Sequence, residues 1–141
     1  MTTEPGAIDG AQGARRPGPE LRLQVRVLDD ALRFAREVLG AEVELAEPGR
    51  AIVRRSGAEW TLIADAACAN TVMRELAGLV VRRGAGIELV VRGLDPDALE
   101  QRARQTGHGV LTASQVAADG VREARVVDRD GYVWLARAAR G

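Results

Sequence analysis

The chain has 141 residues, enough for one domain that buries its own core without staples. Its 20 basic residues, all arginine, are cancelled by 20 acidic ones, which argues against nucleic-acid or membrane-surface binding through bulk charge. The single cysteine, Cys68, rules out an internal disulfide and a cysteine-cluster metal site. No stretch approaches a membrane span and the N-terminus lacks the order of a signal peptide, so the expected setting is cytoplasmic. The bias toward Arg, Ala, Gly and Val reads as GC-rich, bacterial coding.

In chain order, residues 1–19 are rich in proline and glycine with no apolar period, and are expected to form a disordered leader. Residues 20–141 are expected to form a single domain. It opens on "ELRLQVRV", where Leu21, Leu23, Val25 and Val27 alternate with polar residues as in a strand with one buried face. "DDALRFAREVLG" follows as a helix, with Asp29 as expected cap, Leu32, Phe34, Ala35, Val38 and Leu39 as its apolar face, and Gly40 at its exit. Three strand-like pieces begin at Ala41, Ala51 and Ala58. This first β-α-β-β-β unit spans residues 20–65.

Residues 66–85 are a linker. Val72, Leu76, Leu79 and Val80 fall at helical spacing, so either a short helix or an apolar loop covering the join satisfies the pattern. The second unit, residues 86–139, repeats the first. "GIELVVRG" alternates as a strand; "LDPDALEQRARQTG" is a helix with Asp95 as cap, Pro96 in its first turn and Gly107 at its exit. Three more strands follow, the last two joined by the Asp130-Gly131 turn. Leu28-Asp29 matches Leu94-Asp95, and the Gly-x-x-Trp of Gly57 to Trp60 matches that of Gly131 to Trp134. The chain therefore reads as a tandem repeat of one supersecondary unit, in the α+β class.

The stretches "LRLQVRVLDDALRFAREVLGAEV" and "VVDRDGYVWLARA", with "LDPDAL" between them, resemble the vicinal oxygen chelate superfamily of glyoxalases, bleomycin-resistance proteins and extradiol dioxygenases. The resemblance implies two tandem βαβββ modules forming curled mixed sheets around a cavity, and commonly a homodimer. Metal-dependent members take ligands from the first and last strands of each module, positions that fall here on Glu20, Thr61, Gly86 and Leu135. Only Glu20 can coordinate a cation, so the resemblance leans toward the metal-free members, with no metal and no cofactor.

If those four positions face the cavity, strand parity turns Arg22, Gln24, Glu59, Ile63, Glu88, Val90, Val133 and Arg137 inward, and sends Leu21, Leu23, Trp60, Ile87, Leu89 and Trp134 toward the helices. The candidate ligand-binding set is then Arg22, Gln24, Glu59, Thr61, Glu88, Leu135 and Arg137. Its charges either pair with one another or grip a polar ligand. The expected function is metal-independent binding of a small molecule, as in sequestration of a toxic compound or natural product. The alternative is an isomerase or cyclase with Glu20, Glu59 or Glu88 as general base and Arg22 or Arg137 steadying an oxyanion. Whether the chain is an enzyme stays open at this level. His108, between two glycines, reads as a turn residue, and Cys68 as a buried or linker thiol.

Overall fold

The computed structural model describes residues 18–138, and the leader expected over 1–19 lies, up to residue 17, outside the described residues. Strand β1 (Arg22–Val25) leads into helix α1 (Leu28–Glu37), then strands β2 (Glu42–Glu47), β3 (Arg50–Arg55) and β4 (Ala58–Ala64). A 3-10 turn (Asp65–Ala67) and helix α2 (Thr71–Gly78) lead to β5 (Glu88–Arg92), α3 (Pro96–Gln105), β6 (Gly109–Val116), β7 (Arg122–Val127) and β8 (Val133–Arg137). Each half is a βαβββ unit. Its sheet carries the first strand parallel to the last and the rest antiparallel, in the orders β1-β4-β3-β2 and β5-β8-β7-β6. The two sheets stay separate and do not close into one curled wall.

The core is a single apolar cluster shared by the modules, built from the helix-facing side of both sheets together with α1 and α3. Alternation explains it: Leu23 and Val25 on β1, Trp60 and Leu62 on β4, and Trp134 and Ala136 on β8 point one way, toward Leu32, Phe34 and Leu99 of the helices. The two tryptophans that the internal repeat equates meet there, ring centroids 5.3 Å apart, and Phe34 stacks near Trp134 and edge-on to His108. His108 thus belongs to the join as well as to the turn after α3. Leu21 and Ile87, expected in this core, are exposed; each lies one residue before the start of its strand, β1 at Arg22 and β5 at Glu88.

Helix ends follow local chemistry with one change. Asp95 caps α3 by accepting from Asp97 N at 3.1 Å, with Pro96 in the first turn. Asp29, by contrast, does not cap α1; Val27 holds that place, and Asp29 and Asp30 lie in the first turn, where they complement the positive end of the helix dipole. The linker takes the helical option, with Asn70 capping α2 through Met73 N at 3.0 Å, yet none of the residues of α2 is buried. No helix among the described residues is long and apolar enough to cross a membrane.

Candidate functional site

A cleft of about 430 Å³ lies between the outer face of the first sheet and α2. Arg22, Gln24 and Ile63 supply the sheet wall, since they share the parity opposite to the core. Met73, Leu76, Ala77 and Val80 supply the other wall, at the spacing that puts them on one side of α2 and the turn after it. Cys68, Asn70, Arg83 and Tyr132 complete the lining. The walls are therefore largely hydrocarbon, with polar groups at the edges.

Those polar groups are tied together. Arg83 donates to both carboxylate oxygens of Asp65 at 2.7 Å, and Gln24 Nε2 donates to Asp65 Oδ1 at 3.0 Å. The Arg83 guanidinium holds the Asp65 carboxyl below the usual carboxylate range, so the pair stays ionised at neutral pH. Tyr132 donates its hydroxyl to the Gln24 carbonyl at 2.8 Å, and burial pushes that phenol up to about 12, so it remains a donor. Arg26 reaches the Val80 and Val81 carbonyls at 2.8 and 3.0 Å and Asp130 at 3.3 Å, pinning the end of the linker to the first module. The Cys68 thiol donates to the Asn70 carbonyl at 3.5 Å.

The sequence-derived positions fall into three places. Arg22 and Gln24 line this cleft, and Thr61 is the register partner of Arg22 on β4. Glu59 lines a second depression of about 430 Å³ beside the β3–β4 hairpin, where Arg54 clamps it at 3.0 Å and Glu44 at 2.7 Å. Glu88, Leu135 and Arg137 sit on the second sheet. There Arg125 joins Glu88 to Glu123, and Arg137 joins Glu123 to Asp119. Leu135, in register between Val90 and Arg125, is only 4% exposed. The seven positions share the parity opposite to the core and are divided between two sheets, Arg22, Gln24, Glu59 and Thr61 on the first and Glu88, Leu135 and Arg137 on the second. Sequence reasoning missed the α2 wall and Arg83; the helical spacing in the linker was the available signal.

The four positions to which the resemblance assigns metal ligands do not fit an ion. Glu20 is an exposed residue before β1 that faces Arg22 at 3.8 Å, Thr61 offers only a hydroxyl, Gly86 offers nothing, and Leu135 offers hydrocarbon. Among the described residues, no three His, Cys, Asp or Glu side chains are grouped to hold a metal.

No family model matches the chain, and no curated protein matches it in sequence. Solved structures do match in shape. A hypothetical protein, SA1046, from S. aureus superposes with a TM-score of 0.69 at 14% identity, over 92% of this chain and 98% of that one. A glyoxalase-related enzyme from Fulvimarina pelagi gives 0.68 at 18% identity, over 88% and 89%. A glyoxalase/bleomycin resistance protein/dioxygenase family enzyme from Burkholderia phytofirmans PsJN gives 0.68 at 15%, over 86% and 97%. Together with the duplicated βαβββ order, these matches show that the chain has the fold of the solved glyoxalase-related and glyoxalase/bleomycin resistance protein/dioxygenase structures.

Proposed function

We propose that the chain is a metal-independent small-molecule-binding protein of the glyoxalase/bleomycin-resistance type, sequestering a toxic compound or natural product in the cleft beneath α2. The observation that carries this reading is the cleft itself. Its volume of about 430 Å³ suits a small organic molecule, and its two facing walls are mostly hydrocarbon. The isomerase or cyclase alternative draws less support. Glu59 and Glu88 are both held by arginines and substantially exposed, and Glu20 is exposed outside β1, so none of the three faces a dry, enclosed reaction space.

The test is a thermal-shift screen of small organic compounds, followed by calorimetric titration of the best one. Ala77→Trp fills the cleft from the α2 side and is expected to weaken binding at least tenfold, with EDTA leaving affinity and melting temperature unchanged. A compound that titrates equally into both proteins places binding elsewhere and refutes the reading, and one equivalent of bound transition metal per chain refutes its metal-independence.

A further inference from the structure

Arg83 lines the cleft with 4% of its side chain exposed. Its terminal nitrogens are engaged, Nη1 and Nη2 with Asp65 at 2.7 Å, and Nη1 also with the Gln24 carbonyl at 3.3 Å. Its Nε–H differs: the atom is buried and finds no acceptor among the described residues. Buried donors in native proteins are almost always paired, so an orphan in the wall of a cleft marks a place for an acceptor that the chain does not supply.

Charge balance narrows what that acceptor is. Asp65 offsets Arg83 and Asp130 offsets Arg26, so two guanidinium groups and two carboxylates make a neutral cluster. A second carboxylate brought to Arg83 would face Asp65 across one guanidinium, in a site with apolar walls where like charges repel strongly. A neutral oxygen satisfies the donor without that repulsion. Arg22 does not reverse the preference, because it is largely exposed at the edge of the cleft and faces Glu20.

We propose that the Arg83 Nε–H is the recognition point of the cleft, selecting ligands that carry a neutral carbonyl-type oxygen (amide, lactam, ester or ketone) on an apolar body, in preference to anions. This rests on the cleft being the binding site. A polar anchor of this kind discriminates more sharply than the hydrocarbon walls, since a ligand lacking the oxygen leaves the donor unpaired. The Nε–H is closed off in the ligand-free chain, so the proposal includes a displacement of the cleft wall on binding; α2, none of whose residues is buried, forms the wall opposite the sheet.

The matched probes 2-naphthamide and 2-naphthoate, alike in shape and different in charge, test this by calorimetry on the full chain. The expected result is at least tenfold tighter binding of the amide. Asp65→Asn keeps an oxygen for Gln24 Nε2 but leaves Arg83 uncompensated, so the preference should vanish or invert. Arg83→Lys keeps the charge and removes the Nε–H, so the preference should fall toward unity; it decides the matter if Asp65→Asn fails to fold. Equal or reversed preference in the parent protein, or a ratio unmoved by the folded variants, overturns the inference alone, provided Ala77→Trp still weakens binding of the probes at least tenfold. Failure of both probes to bind, or binding indifferent to Ala77→Trp, overturns the cleft reading and this inference with it.

Discussion

Asp128 and His108 lie close to the module join and respond to acid in opposite directions. Asp128 accepts from Asp130 N and Tyr132 N at 3.0 Å and from Trp134 Nε1 at 2.9 Å, which fastens the turn before β8. Burial nevertheless pushes its carboxyl up to about 6, from 3.8. Between those values the folded chain keeps a proton that the unfolded chain has released, so acidification from pH 7 toward 4 adds stability through this group. His108 is the reverse: burial, and then Arg129, pull its imidazole below 6.5, so the unfolded chain takes the proton first and stability falls as pH drops through 6.5. Urea unfolding at pH 7 and pH 5 should therefore show His108→Leu gaining stability on acidification relative to the parent, and Asp128→Asn losing it. Curves parallel to the parent's for both variants refute the assignment. The sequence exposes little of this: His108 between two glycines is legible as a turn residue, but its stacking on Phe34 of the other module is a long-range contact that no local pattern encodes.

At the level of elements, the linker is where sequence and structure part most. Strands and helices of the two modules were legible because alternation and caps are local, and Asp95 with Pro96 is the plainest case. The linker pattern left a helix and an apolar loop open and did not say what either would face; α2 forms, and keeps its apolar residues exposed over a cleft rather than packed in the core. Besides the Arg26 contacts, Arg83 N donates to the Asp130 carbonyl at 2.9 Å and holds the end of the linker close against the β7–β8 turn. A Cβ on Gly84 would lie 2.5 Å from Tyr132 Cα and 2.7 Å from the Gly131 carbonyl, while one on Gly78 meets nothing within 4 Å. Gly84→Ala should thus destabilise by about 1–3 kcal/mol through backbone displacement. Gly78→Ala should stabilise by about 0.5–1 kcal/mol, as removing a helical glycine does. Chemical denaturation of the two variants checks both, and equal effects would contradict the described packing of the linker against the β7–β8 turn.

For the molecule as a whole, the candidate site was half legible. Parity placed Arg22 and Gln24 on the outer face of β1, but parity says nothing about which sheets approach one another, so Glu88 and Arg137 were grouped with them although a separate sheet carries them. Their charges satisfy each other in the chain of ion pairs from Glu88 to Asp119. Truncating Arg137 should accordingly leave binding of a cleft ligand within twofold of the parent, measured by the same calorimetry, and a tenfold loss would return Arg137 to the site. Apolar side chains such as Leu45, Leu79 and Val81 remain exposed on this single chain, and the expected assembly is a homodimer that covers part of them. A light-scattering mass near 15.0 kDa at micromolar concentration would exclude it.

The paired tryptophans carry an optical consequence. Two indoles whose centres are 5.3 Å apart and whose planes cross at 42° are close enough for their excited states to couple, and each comes from a different module. The docking of one half against the other therefore has its own spectroscopic signature, an exciton couplet in the ultraviolet circular dichroism. Trp60→Phe and Trp134→Phe should each abolish the whole couplet rather than half of it. In a denaturant titration its disappearance times the parting of the modules, separately from the loss of helix and strand within each.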